Sequence, residues 1–283
     1  MNETIYTING VNICTESFGN PKDPVVLLIM GAMASMIWWD EEFCKRLADN
    51  GRYVIRFDNR DVGRSTTYEP GNPSYLVDDM VGDVVGVLDA KGIEHAHLVG
   101  MSLGGMLAEV TALRNPSRVL SLTLMMTSIF GPNEGLPGID PQILAYHAQG
   151  GNVNWHDKQA TAEYLAEGWR LLAGSKHPFD KSRALKLATG EVLRANNLTS
   201  MFNHALLKGG EIYYDRMNEI KVPTLVIHGT EDPVLPFEHG LALVNTIPHA
   251  ALLSLEGTGH EIPFAEWDVI IAAIVKHTST SIS

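Results

Sequence analysis

The sequence predicts an α/β fold: a mostly parallel sheet flanked by helices, with a helical lid inserted between core strands. Three observations carry this. Short apolar runs of strand length alternate with segments of helical periodicity. That rhythm breaks over one long middle stretch in which no strand pattern occurs. A glycine-flanked serine stands where a strand run gives way to a helical one.

The elements follow in chain order. Runs near Thr4–Thr7 and Val11–Ser17 flank Asn9-Gly10, the residue pair that favours a tight hairpin turn. Val25–Met30 and Tyr53–Phe57 are short apolar runs suited to buried strands, as are Ala96–Val99, Leu120–Met125, Thr224–Ile227 and Ala251–Leu255. A helix over Glu41–Asn50 stops at Gly51. A second, Tyr75–Lys91, lines up Leu76, Met80, Val84, Val85 and Leu88 on one face and stops at Gly92. Leu103–Arg114 follows the serine. Phe264–His277 turns Ile270, Ile271 and Ile274 towards the sheet, and the Thr/Ser-rich tail beyond it should fray.

The middle opens on a loop rich in Gly and Pro. Helical stretches at Ala160–Ala173 and Arg183–Asn196 follow, and Pro223 restarts the strands. This divides the chain into a core of residues 1–128 and 216–283 and a helical cap of residues 129–215.

Composition narrows the function. The 283 residues are 45% hydrophobic and carry a net charge of −12, so a sizeable core is available and disorder is excluded. An acidic chain suits neither nucleic acid, which needs clustered Lys and Arg, nor an anionic membrane surface. Cys14 and Cys44 are too few for a disulfide scaffold and read as two free thiols of a reducing compartment. The first residues lack the apolar core of a signal peptide, and Val25–Trp39 is too short to span a membrane. The expectation is a cytoplasmic protein that needs no metal and no cofactor; the oligomeric state stays open.

The chemistry centres on Gly100-Met101-Ser102-Leu103-Gly104, which matches G-x-S-x-G between a strand and a helix. A sharp turn there crowds its neighbours, and glycines at 100 and 104 remove the clashing side chains. A hydroxyl needs a base to become a nucleophile. His260, in the Gly257-Thr258-Gly259-His260 loop, is the candidate, with His228 as rival. The orienting acid should lie in the loop after Thr224–Ile227, where Asp232 is preferred and the adjacent Glu231 stays open. The oxyanion hole needs two backbone N–H groups. Leu103 supplies one, and Ala32, in the Gly31-Ala32-Met33 loop, the other. Met33, Trp38 and Met101 are candidates for an apolar substrate wall, with Trp155 and Trp169 of the cap as possible additions.

Together these residues resemble the α/β-hydrolase superfamily. The carriers are Met30-Gly31-Ala32, the run Asp58-Asn59-Arg60-Asp61-Val62-Gly63-Arg64-Ser65, the Ser102 elbow, Pro223–Ile227 leading to Asp232, and Gly259-His260. Met30-Gly31, Arg46-Leu47-Ala48-Asp49 and the Arg60–Thr67 loop make the chain most similar to aclacinomycin methylesterase-type carboxylesterases. Related sequences often have His-Gly where this one has Met30-Gly31, which alters how the loop is braced. In the 58–66 loop, Gly63 allows a tight turn while Asp58, Arg60 and Asp61 brace it through charge pairs.

The resulting expectation is a carboxylic ester hydrolase with a Ser102–His260–Asp232 triad acting on a small-molecule ester. A small-molecule receptor on the same fold is the alternative, as is a serine hydrolase of lactones, amides or other acyl bonds.

Overall fold

Alternate side chains of each central strand leave towards opposite faces, and this determines the layers. A computed structural model describes residues 3–279. In it Leu27 and Ile29 of one strand enter an apolar cluster with Val84, Leu88 and Leu107. Val26 and Leu28 enter another with Leu47, Trp267 and Ile270. Both faces are therefore covered, which explains why the strands read as continuous apolar runs.

The strands are β1 (Thr4–Ile8), β2 (Val11–Phe18), β3 (Val25–Ile29), β4 (Tyr53–Phe57), β5 (Ala96–Met101), β6 (Val119–Met125), β7 (Thr224–Gly229) and β8 (Ala251–Leu255). They form one sheet in the order β1-β2-β4-β3-β5-β6-β7-β8. The β1–β2 hairpin and the β2–β4 pair are antiparallel, and the rest are parallel. Asn9 and Gly10 turn the hairpin with positive φ at both positions, as that tight turn requires.

The helices are α1 (Glu41–Asp49), α2 (Val77–Ala90), α3 (Leu103–Arg114), α4 (Pro141–Ala148), α5 (Lys158–Leu172), α6 (Lys181–Arg194), α7 (Phe237–Thr246) and α8 (Trp267–His277). Helices α2 and α3 cover one face, and α1 and α8 the other. Between β6 and β7 the chain leaves the sheet. There α5 and α6 pack through Ala162, Ala166, Ala184, Ala188 and Val192.

Three expectations need correction. Leu76 does not face the core: it precedes the first turn of α2, is 47% exposed, and gives its N–H to Asp79 Oδ2 at 2.8 Å. Val85 is half-buried, and Val77, Val81 and Val87 carry the buried face with Met80, Val84 and Leu88. The sequence reading also lacked α4 and α7. Helix α7 buries just His239, Gly240 and Leu243, too few apolar positions to make a helical stripe. Finally, the chain after His277 does not fray at once. Thr278 is buried and accepts from Arg52 Nε at 2.8 Å; residues 280–283 lie outside the described residues. Cys14 and Cys44 are both free and buried.

Candidate active site

Ser102 stands between the end of β5 and the start of α3 with φ 53° and ψ −125°, a conformation that a residue with a Cβ adopts only under strain. The surrounding glycines show why the strain persists. A Cβ at position 100 would lie 2.2 Å from Gly104 O, and one at 104 would lie 2.1 Å from Ile29 O. Helix α3 thus presses directly on the end of β3. The turn is held by Ser102 N–H donating to Met125 O at 2.9 Å and by Thr127 Oγ1–H donating to Ser102 O at 2.6 Å.

Asp232 and His260 come from the loops after β7 and β8, at the same carboxyl edge of the sheet. His260 Nδ1–H donates to Asp232 Oδ2 at 2.7 Å, which leaves Nε2 as the ring's lone-pair nitrogen. Both residues are buried. Asp232 Oδ1 accepts the N–H groups of Val234 and Leu235, each at 2.8 Å. Burial opposes ionisation of Asp232, but the charge and hydrogen bond of His260, with help from His228 and the Leu235 N–H, outweigh it and hold the carboxyl below its ordinary range. The alternatives left open by the sequence have other hydrogen-bond partners. Glu231 accepts Ser175 N–H at 2.7 Å and Ser175 Oγ–H at 2.8 Å. His228 gives Nε2–H to Leu235 O at 2.7 Å and stands 3.6 Å from Asp232 Oδ2.

The loop after β3 lies against the serine. A Cβ on Gly31 would approach Ser102 Cβ to 3.0 Å and Oγ to 3.6 Å. Ala32 follows, exposed, and Met33 comes next at φ 63°. Leu103 opens α3, so its N–H has no carbonyl within the helix to bond. The N–H of Met33 is already taken, by His204 Nδ1 at 2.9 Å.

A cavity of about 280 Å³ is lined by chain neighbours of these residues, while Ser102, Asp232, His260, Ala32 and Leu103 themselves do not line it. Met101, just before Ser102, and Glu261, just after His260, both line it. Trp38, Trp39, Phe43, Trp169, Phe179 and Trp267 make its walls largely aromatic. Trp169 of α5 stacks on Trp38 with ring centroids 4.3 Å apart. Met33 does not line this cavity, nor does Trp155, which packs on Tyr164 and Phe202.

Sequence reasoning missed how the inserted segment contacts the loop that carries His260. Leu172 O accepts His260 N–H at 2.8 Å, and Lys176 N–H donates to Gly257 O at 3.0 Å. The two backbones run so close that a Cβ on Gly259 would lie 2.0 Å from Leu172 O. The paired glycines at 257 and 259 were the visible signal; they permit this contact as well as the turn. The 58–66 loop is braced as its charges suggested, with a correction. Arg60 pairs with Asp83 at 2.6 Å, and Asp58 with Arg194 of α6 at 2.8 Å. Among the described residues Asp61 makes no charge pair. It accepts from Tyr75 Oη at 2.7 Å, Asn203 Nδ2 at 3.0 Å and the Tyr68 N–H at 2.6 Å.

A family model for the alpha/beta hydrolase fold matches residues 24–266. A rhodomycin D methylesterase of Streptomyces sp. (strain C5) is 32% identical over 97% of both chains, and one of Streptomyces peucetius is 31% identical over the same shares. Among solved structures, the 2-hydroxy-6-oxo-6-phenylhexa-2,4-dienoate hydrolase of Rhodococcus sp. strain RHA1 superposes with a TM-score of 0.79 at 21% identity over 98% of each chain. The enol-lactonase of Burkholderia xenovorans LB400 gives 0.78 at 19%, over 98% of this chain and 100% of its own. At those identities the structures speak for the fold alone. The chain belongs to the α/β-hydrolase family and is a hydrolase of the kind that includes the methylesterases.

Proposed function

We propose that this protein hydrolyses a methyl ester of a bulky, largely apolar carboxylic acid through an acyl-enzyme on Ser102. One observation carries the reading: the Asp232–His260 hydrogen bond leaves an imidazole lone pair at the edge of the sheet where Ser102 is held in strain. The methylesterase relatives supply the bond type, and the aromatic cavity beside Met101 supplies the acid's character.

His260 Nε2 takes the Ser102 proton as Oγ attacks the ester carbonyl. Negative charge builds on the carbonyl oxygen, where the N–H groups of Ala32 and Leu103 stabilise it. Donors of this type contribute roughly 2.7–4 kcal/mol each to the transition state. Imidazolium then protonates the departing methoxide, releasing methanol. Water, deprotonated by His260, attacks the acyl-enzyme carbonyl; as the acyl–Oγ bond breaks, the imidazolium returns the proton to Ser102 Oγ and the acid is freed. Asp232 keeps the ring in the tautomer that accepts on Nε2 and offsets the imidazolium charge.

The test is an active-site titration with p-nitrophenyl acetate, followed by steady-state hydrolysis of a panel of methyl esters. A burst of one equivalent, an acetyl group on the peptide containing Ser102, and multiple turnovers of a methyl ester are expected. An undiminished burst in Ser102→Ala rejects the nucleophile, and one turnover without a second favours a receptor.

A further inference from the structure

We propose that His204, contributed by the inserted segment, is a positioning residue that sets the backbone of the oxyanion loop. The inference rests on the esterase reading above.

His204 lies in a 3-10 helix, Thr199–Leu206, and is 6% exposed. Its two ring nitrogens bridge two loops of the core. Nδ1 accepts the Met33 N–H at 2.9 Å, and Nε2–H donates to Arg60 O at 2.7 Å. A donor faces one nitrogen and an acceptor the other, so the neutral ring with its proton on Nε2 satisfies both. Burial lowers the pKa of His204 and keeps it in that neutral form, against the Arg60 carbonyl and the charge of Asp61.

Both ends of the bridge bear on the site. Met33 has φ 63°, a conformation without intrinsic preference for a side chain of its size, so something outside the loop must hold it. Met33 directly follows Ala32, so only the φ and ψ of Ala32 separate the peptide that bonds His204 from the peptide carrying the Ala32 N–H. Arg60, at the other end, is fixed: its guanidinium is buried and paired with both carboxylate oxygens of Asp83, at 2.6 and 2.9 Å. The 3-10 helix is fixed as well, through Ser200 Oγ to Asp61 O at 2.8 Å and Asn203 Nδ2 to Asp61 Oδ2 at 3.0 Å. A rigid strut thus runs from the Arg60 loop through the imidazole to the peptide beside the candidate oxyanion donor.

The strut also takes up the Met33 N–H, the neighbour of the candidate donor Ala32. With Met33 N–H taken, Ala32 and Leu103 remain the candidate donors for the tetrahedral oxygen. The structure therefore has an answer to the Met30-Gly31 departure: the loop is braced from the inserted segment rather than by a side chain at position 30.

Three variants read this out. His204→Ala removes both bonds, His204→Asn returns an acceptor near the Nδ1 position, and His204→Gln reaches the Nε2 position instead. Each is assayed for kcat and KM on one methyl ester, and for inhibition by phenylboronic acid, whose tetrahedral adduct with serine places an oxygen where the oxyanion forms. Losing a whole oxyanion donor costs about 10²–10³ in kcat, so a misplaced one should cost about 10- to 100-fold. The expected pattern is that loss in kcat for His204→Ala, with KM nearly unchanged and weaker boronate inhibition in step. His204→Asn should recover most of the loss and His204→Gln little of it. Equal recovery by Asn and Gln, a loss confined to KM, or wild-type kcat in His204→Ala overturns the proposal. Wild-type activity that Ser102→Ala abolishes, beside an undiminished His204→Ala, removes this inference and leaves the esterase reading standing. A wild-type protein that hydrolyses no ester removes both.

Discussion

His260 and Leu172 are joined through their backbones: the N–H of the candidate base donates to the carbonyl at the end of α5, 2.8 Å away. The inserted segment is therefore stitched to the loop carrying the imidazole, and glycine is what allows the approach. Gly259→Ala would drive a methyl group to within 2.0 Å of Leu172 O and 2.7 Å of Gly174 N. Backbone atoms cannot rotate away as a side chain would. The variant should lose about 1–3 kcal/mol of stability, and kcat should fall more than KM rises as the imidazole shifts. Urea unfolding alongside steady-state kinetics checks both; a variant of wild-type stability and rate would show that the two segments separate freely.

Asp232 holds the His260 tautomer. Asp232→Asn offers an amide in place of the carboxylate and permits the wrong ring nitrogen to carry the proton. In Ser-His-Asp enzymes that change lowers kcat by about 10⁴, and a similar loss is expected here with the fold intact. Glu231→Gln, which touches the Ser175 bonds instead, should cost little. If the two variants behaved alike, the assignment of the acid would be wrong.

Glu191 of α6 gives the protein's stability a pH dependence. It is buried and accepts the hydroxyl of Ser35 from the loop after β3. Burial pushes its carboxyl from the ordinary 4.5 up to about 7; Asp58 adds to the shift, while the Ser35 hydrogen bond and Arg194 oppose it. The native state therefore holds a proton that the unfolded chain releases near pH 4.5. The associated stability is fully present below that pH and is lost as pH rises towards 7. Glu191→Gln stays neutral throughout, so between pH 4.5 and 8 its stability relative to wild type should rise by up to about 3 kcal/mol. Urea melts at the two pH values measure this; parallel pH profiles would refute it.

Trp169 reaches the cavity from α5 and stacks on Trp38 at an interplanar angle of 22°. A stacked pair of this kind contributes about 0.5–1.5 kcal/mol beyond burial. Trp169→Ala should raise KM for a bulky aromatic methyl ester by about tenfold, the equivalent of 1.4 kcal/mol, and leave a small ester such as methyl acetate almost untouched. Equal effects on both esters would place the ring outside the substrate's path.

The fold was legible because its signals are local. The central strands are short apolar runs, glycines and prolines mark many of the turns, and the elbow is a five-residue pattern beginning at Gly100. Helix α7 escaped notice because its buried face includes His239 and Gly240, neither of which contributes to an apolar stripe. Gly240 is there for contact: a Cβ would meet the His228 ring at 2.8 Å. Leu76 misled for the opposite reason, an apolar residue one position too early to be helical.

What the sequence by itself determined is the layered sheet, the strained serine and the loops from which an acid and a base could come, since backbone sterics and hydrophobic period act over a few residues. Which carboxylate meets the imidazole was decided by tertiary structure: neighbours 231 and 232 diverge, one to Ser175 and the other to His260. So was the grip of the inserted helices on both sides of the site, through Leu172 and His204. Those bonds join residues 88 and 171 positions apart, and a hydrogen bond leaves no periodic trace in the chain that makes it.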